Sequence, residues 1–434
     1  MVAGSQQRIE IMVQCPECGS SPLLERKTAL SGLSRHTMST STPTTQATTQ
    51  DAQQKAARTA GYYLASLTLG LVTASLGPAL SSLAERVSAS LDEISILFTA
   101  IALGYLVGSL LAGRVYDRAP GHVVMGTVLA VLAVMMVLVP LAPRLWLLVG
   151  VMLLAGAASG MVDVGGNTLL VWLHGQEVGP FMNGLHFCFG LGAFASPVIV
   201  AQVVRLSGDI NWAYWIIASL IAPVAVWILR LPSPAHINQG DDPAKRGSAL
   251  MVVLIATVLL LYVGAESSMG GWIYSYATAA GLSNEAEAAY LTSVFWGTFT
   301  AGRLLSIPLV RQFSPRATLI AAWGGCLASV GAMVLVGDAR LVLWLGTVGV
   351  GLSMAPIFPT MISFGERRMP ITGQTTSWFF VGGSLGGMTL PWLIGQLFES
   401  MGPRATMSTI LGDLALAAVT FGALLLVAGV QDGR

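Results

Sequence analysis

Charge is scarce in this sequence. Asp, Glu, Lys and Arg make up 10% of its 434 residues, against 54% that are hydrophobic. A soluble domain carries about 25% charged residues, so apolar surface on this scale calls for lipid rather than a larger core. The net charge is +1 and no basic run is interleaved with aromatics, which leaves no footprint for a nucleic-acid partner. The phosphate-cradling Gly-x-x-x-x-Gly-Lys-Ser/Thr loop is missing, so ATP does not drive the protein directly. His-Glu-x-x-His is missing too, and no catalytic constellation emerges; an enzyme is not expected. Cysteine is sparse at four residues. Cys188 and Cys326 fall in apolar stretches and read as small packing residues. Cys15 and Cys18 form one Cys-x-x-Cys, and the remote His36 does not complete the four ligands that zinc needs, so neither a metal nor a cofactor is expected.

What the chain has in quantity is apolar sequence and glycine, 49 residues of it, as is usual where helices pack closely in a bilayer. Residues 1–58 form a polar tail. Its stretch Ser39–Gln50, rich in Ser, Thr and Gln, lacks the apolar content for a core and is expected to be disordered. From residue 61, apolar stretches recur at 61–83, 94–114, 122–142, 145–172, 181–205, 211–231, 248–278, 288–312, 317–337, 341–365, 372–398 and 405–429. A membrane-spanning helix needs about 20 such residues. The expected fold is an all-α membrane protein with twelve transmembrane helices in two pseudo-symmetric six-helix bundles. The longest polar break, 232–247, separates a bundle at 59–231 from one at 248–434. Basic residues favour a cytoplasmic N-terminus. Nine (Arg114, Arg118, Arg230, Lys245, Arg246, Arg311, Arg316, Arg367, Arg368) would then face the cytoplasm, against five (Arg86, Arg144, Arg205, Arg340, Arg404) outside. A weak internal repeat sets Gly104…Gly113-Arg114 beside Gly297…Gly302-Arg303, each a glycine-rich half with a basic end.

The run Gly113-Arg-Val-Tyr-Asp117-Arg118-Ala-Pro-Gly121-His122 resembles the loop between helices two and three of the major facilitator superfamily, Gly-x-x-x-Asp-Arg-x-Gly with basic residues after it. Gly121 sits one position late and His122 stands where Arg is usual. The resemblance implies that Gly113, Asp117 and Arg118 form a conformational latch; as residues alone they also read as ordinary interfacial charges. Two further runs, Asp163-Val-Gly-Gly-Asn167 and Asn183-Gly-Leu-His186-Phe187-Cys-Phe189-Gly190-Leu-Gly192-Ala193, are similar to the branch that holds sodium-dependent glucose transporters and, more distantly, the fucose–proton symporter. That resemblance implies a small polar solute, a monosaccharide, as cargo.

Ionisable residues inside a membrane are costly, and facing a cavity is their usual explanation. Asp163 and Asn167 share a helix face at i, i+4. A carboxylate beside an amide suits sugar hydroxyls, and the carboxylate suits a proton or Na⁺; the alternative is a buried structural pair. Asn183, His186 and Phe187 follow in the fifth stretch, where an interfacial histidine satisfied by backbone or water is the competing reading. Glu266 is an acid in the seventh stretch. Around it Ser267-Ser268 and Gly270-Gly271 are poor helix residues, and a broken helix acting as a gate is expected there. Trp272 offers a ring face to a sugar, or belongs to an interfacial aromatic belt. Pro356-Ile-Phe-Pro359 is expected to kink the tenth helix and free carbonyls. Gln374 and Trp378 sit at i, i+4 in the eleventh. Arg303 is expected to snorkel towards the cytoplasm or pair with an acid.

Together these readings predict a secondary active transporter, a monomer of the inner or plasma membrane, working by alternating access. Asp163 and Glu266 are expected to take the coupling ion, Na⁺ or H⁺. Proton-coupled efflux of drugs or metabolites shares the expected fold but calls for a greasier cavity, and a non-transporting receptor or scaffold calls for a sizeable soluble domain. Met38 opens a leader typical of such a chain, so residues 1–37 are expected to lie upstream of the natural start. Mass spectrometry of the native protein should find no peptide containing Cys15; recovering one rejects Met38 as the start.

Overall fold

The computed structural model describes residues 45–234, 249–337, 339–368 and 373–432. The chain divides into two compact units, Met1–Thr49 and Gln50–Arg434. Of the first, only the opening turn of a helix is described; Cys15, Cys18, His36 and Met38 lie outside the described residues. The described residues form the helices α1 Thr45–Thr73, α2 Leu76–Val87, α3 Leu91–Ile94, α4 Ile96–Arg118, α5 Gly121–Leu138, α6 Leu145–His174, α7 Val178–Ser207, α8 Asn211–Arg230, α9 Ala249–Ala279, α10 Glu285–Gln312, α11 Pro315–Leu335, α12 Arg340–Met354, α13 Ile357–Glu366, α14 Gly373–Met401 and α15 Arg404–Asp432.

Every one of the twelve apolar stretches is helical. Among the described residues nine spans are long and apolar enough to cross a membrane, and the bent pair α1–α2, taken as one span, makes a tenth. The remaining two stretches form α10 and α14, of 28 and 29 residues. Breaks have local causes. Between α1 and α2 the axis bends by 48°, just before Pro78, whose ring nitrogen cannot bond the carbonyl of Ala74. Pro356 separates α12 from α13, as its sequence predicts. Two expectations are corrected. Residues 45–58, read as disordered tail, are helix: alanines and long straight side chains propagate α1 backwards from its apolar part once that part is nucleated. And α9 is unbroken through Ser267-Ser268 and Gly270-Gly271. Those glycines serve packing instead, with Gly77 of α2 lying against the carbonyls of Gly270 and Gly271.

Glycine sets how the helices pair, because its missing Cβ lets two backbones meet. Along α4 and α6, a Cβ on Gly104 would lie 2.0 Å from Leu153 O, one on Gly108 2.0 Å from Ala157 O, and one on Gly156 2.2 Å from Ile101 O. The contacts advance together along both helices, so the pair runs parallel. The same arrangement recurs between α9 and α14 (Gly382 on Ala256 O, Gly386 on Leu260 O), between α1 and α7 (Gly70 on Phe189 O, Gly192 on Leu67 O), and between α10 and α12 (Gly302 on Leu352, Gly351 on Phe295 O). The repeat legible in the sequence is therefore real, but its register differs. Gly302 is a packing glycine like Gly108, while Gly113 has open space around it. Gly382-Gly-Ser384-Leu-Gly386 has the spacing of a hydrolase nucleophile elbow, yet it lies inside α14 rather than at a strand-to-helix turn.

At the end that carries α3, helices from the earlier and later parts of the chain are tied together. Thr99 donates to Met388 O (3.0 Å), Ser95 to Trp392 O (3.5 Å) and Gln396 Nε2 to Asp92 O (2.9 Å), while Leu91 N donates to Glu399 Oε1 (2.8 Å). Gln202 of α7 donates to the Tyr290 hydroxyl of α10 at the same end. Trp272 packs between Phe98 and Phe398, with ring centroids 5.9 and 5.3 Å away, and closes this end.

A Cβ at Gly386 would fall 1.8 Å from Leu260 O, while Gly412 has nothing within 4 Å. Gly386→Ala should therefore destabilise the protein by about 1–3 kcal/mol, the usual cost of overpacking. Gly412→Ala should be neutral or stabilising by up to ~1 kcal/mol. Thermal unfolding of both variants in detergent checks this.

Candidate functional site

Close approach of α4 to α6 builds the core of the site. Gly160 lies against Tyr105 O, and Gly165 makes room for the Tyr116 ring, whose hydroxyl donates to Met161 O at 3.2 Å. These two glycines fix α6 against α4 so that the Tyr105 hydroxyl reaches Asp163 and donates to its Oδ2. Asn167 lies one turn along α6. Its Nδ2 donates to Asp163 O at 2.8 Å and to Asp163 Oδ1 at 3.2 Å. Both carboxylate oxygens are thus held by neutral donors, and no ion pair is formed with a described residue. Asn167 uses its amide nitrogen on Asp163 and keeps its carbonyl oxygen to accept from a hydroxyl.

The second part comes from α7, α9 and α10. Gly190 of α7 abuts Thr300 of α10, and Gly297 abuts Phe194, so the pair is antiparallel. One turn from the Gly190–Thr300 contact, His186 and Arg303 face each other. His186 lies within electrostatic reach of Arg303 and Asp163. The Arg303 guanidinium stacks over Phe299, 4.5 Å from the ring centroid, and its Nε is buried without a hydrogen-bond partner. Glu266 of α9 lies beside the Tyr262 hydroxyl and within reach of the Arg303 charge. Tyr262 itself donates to Met354 O at 3.2 Å, the carbonyl exposed where α12 gives way to α13.

Among the residues singled out from sequence, Asp163, Asn167, His186 and Glu266 come together. The others are placed apart from them. Asn183 and Phe187 are exposed on α7, Phe187 by 41%. Trp378 on α14 is 55% exposed. The side chain of Gln374 lies outside the described residues. Trp272 is 0% exposed and its Nε1 donates to Pro391 O at 2.9 Å, so its ring serves the closed end. Gly113, Asp117 and Arg118 sit at the exposed end of α4, and neither charge forms an ion pair among the described residues.

Two residues of the cluster, Tyr105 and Tyr262, escaped sequence reasoning, and a third, Arg303, was read only in part. Tyr105 hides between Gly104 and Gly108, and only the pairing of α4 with α6 reveals its target. Tyr262 is found only through the break at Pro356. Arg303 carried a usable signal, a full charge inside an apolar stretch, but setting Gly302-Arg303 beside Gly113-Arg114 put it at a helix end. It lies well inside α10 within reach of Glu266, so of its two expectations snorkelling is corrected and association with an acid is the one the structure favours. A further acid, Asp413 in α15, was also passed over; its Oδ2 is buried without a hydrogen-bond partner. Among the described residues no group of three or more His, Cys, Asp or Glu is placed to hold a metal ion.

Comparison with known proteins bears on this arrangement. The sequence model of the Major Facilitator Superfamily matches residues 62–391. The chain is 32% identical over 401 residues to sodium-dependent glucose transporter 1A of Mus musculus, covering 83% of this chain and 94% of the relative. It is 32% identical over 371 residues to sodium-dependent glucose transporter 1 of Homo sapiens, covering 76% and 71%. Among solved structures, a mutant of the nucleoside transporter NupG superposes with a TM-score of 0.71 at 13% identity, covering 86% of this chain and 99% of that one. A bacterial homologue of the human lysosomal transporter Spinster, inward-facing and occupied, gives 0.69 at 11% identity, covering 88% and 97%.

Replacing Tyr105 by Phe removes one donor from a half-buried carboxylate and should cost about 1–2 kcal/mol of stability. Asn183→Ala, at an exposed position, should change it by less than about 0.5 kcal/mol. Thermal unfolding in detergent distinguishes the two.

Proposed function

Because the chain belongs to the Major Facilitator Superfamily, and is therefore a multi-pass membrane transporter rather than an enzyme, we propose that it carries a monosaccharide by cation-coupled alternating access. The observation that carries this reading is the Tyr105–Asp163–Asn167 group. It is a carboxylate deep in an apolar helix, held by neutral donors, with hydrogen-bonding groups left for a polyol. Resemblance to relatives named as sodium-dependent glucose transporters supports the cargo class. Proton-coupled efflux would also use a membrane carboxylate, but gives less use to the amide and hydroxyl groups set around this one.

In the proposed cycle Asp163 takes Na⁺ or a proton; Glu266, expected from the sequence as a second coupling acid, lies within reach of the Arg303 charge. Neutralising a carboxylate lowers the cost of closing a dry cavity around it. Hydroxyl, amide and imidazole groups from Tyr105, Asn167 and His186 hold the sugar. The bundles at 59–231 and 248–434 rock about the site. The α3 end is tied shut in this structure, so the opposite end is the one from which solute exchanges. When the cycle reverses, Gly113, Asp117 and Arg118 would latch that opposite end, while Trp272 and its neighbours part. The carrier is proposed to act as a monomer in the lipid of a plasma or inner membrane, with both termini cytoplasmic.

Uptake of labelled D-glucose and a panel of other hexoses into proteoliposomes, under imposed Na⁺ or proton gradients, tests this. Gradient-driven accumulation is expected. Asp163→Asn should lower accumulation at least ~10-fold, since a tenfold change corresponds to only about 1.4 kcal/mol of coupling, while sugar exchange without a gradient persists. Wild-type uptake that ignores both gradients, or undiminished coupling in Asp163→Asn, rejects the mechanism.

A further inference from the structure

We propose that Arg303 is the built-in counter-ion of Glu266, which leaves Asp163 as the single carboxylate open to the coupling cation, so that one cation is taken up per cycle. This deepens the cation-coupled reading above and rests on it.

The case is one of charge counting. Four ionisable side chains converge on the site: Asp163 from α6, His186 from α7, Glu266 from α9 and Arg303 from α10. Two hydroxyls, Tyr105 from α4 and Tyr262 from α9, lie among them. Arg303 is permanently charged. The contacts of Gly190 with Thr300 and of Gly270 with Trp296 set α7 and α9 on either side of α10. Arg303 therefore projects at the level of the Tyr262–Glu266 turn on one side and of His186 on the other. The stack over Phe299 holds the guanidinium there, and its Nε is buried without a hydrogen-bond partner.

With both acids ionised and His186 neutral, two negative charges meet one positive charge. A buried charge is retained only where a partner compensates it. Glu266 lies within reach of the Arg303 charge on the neighbouring helix, without a closed ion pair between them. Asp163 is held only by the neutral donors Tyr105 and Asn167, which orient a carboxylate without cancelling its charge. The uncompensated charge thus sits at Asp163, and a cation entering from one side and leaving to the other neutralises it. Asp413 stands outside this count: no described hydrogen bond connects α15 to the cluster.

The test needs no knowledge of the cargo. Purified full-length protein is reconstituted on a solid-supported membrane, and the charge displaced by a jump in Na⁺, and separately in proton concentration, is recorded without sugar. Wild type should displace charge with one of the two ions. Asp163→Asn should abolish that signal, while Asp413→Asn keeps it. Arg303→Gln frees a second carboxylate and should displace about twice the wild-type charge. Arg303→Lys should behave as wild type, and so should the double variant R303Q/E266Q, which removes the pair together and serves even if Arg303→Gln alone fails to fold. A signal that survives in Asp163→Asn, or is lost in Asp413→Asn, overturns the assignment to Asp163 and leaves cation coupling standing. A wild-type charge in the double variant's single partner, Arg303→Gln, overturns the counter-ion role. No displacement by either ion in wild type overturns cation coupling itself.

Discussion

A polar group taken into a membrane interior must find its partner within the protein, since lipid offers none. The arrangement of this chain follows from that requirement. Asp163 is acceptable deep in α6 because Tyr105 and Asn167 occupy its two oxygens. The carbonyl of Met354, exposed at the break between α12 and α13, is met by Tyr262. Arg303 is stacked on an aromatic face and set among acids. Each case joins helices that are distant in sequence, so the need for partners also dictates which helices stand next to one another.

Glycine makes those partnerships reachable. A tyrosine hydroxyl on α4 bonds a carboxylate on α6 only if the two backbones nearly touch, and the glycines along that seam allow it. The recurrence of such seams in four parallel pairs gives the major facilitator fold its internal likeness. The likeness is one of packing, and it does not extend to chemistry. The first part of the chain supplies an acid held by neutral donors, the second an acid facing a cation. Equivalent places in two similar frameworks carry unequal charge, and a carrier needs that inequality if binding an ion is to change anything.

Much of this was legible in the sequence. Apolar length located every helix, and the proline at 356 located a break, because both depend on neighbours along the chain. Asp163 and Glu266 stood out as charges in apolar runs. Pairing across helices was not legible. Gly270-Gly271 looks the same whether it breaks a helix or receives another, and here Gly77 of α2 occupies that surface. Trp272 reads equally as a sugar platform or a plug; what distinguishes them is the carbonyl of Pro391, far off in sequence. The residues of the polar tail misled in the other direction, since Ala, Gln and Lys extend a helix readily once an apolar segment has started it.

The tied end has a consequence for how this protein can vary. Three of its bonds end on backbone carbonyls of α14, at Met388, Pro391 and Trp392, and their donors are side chains of Thr99, Trp272 and Ser95. A backbone carbonyl survives nearly any substitution at its own residue, whereas a side-chain donor does not. Inherited changes should therefore accumulate unevenly across this seam, freely at 388 and 392 and sparingly at 95, 99 and 272, so that one wall of the gate drifts while the wall facing it stands still.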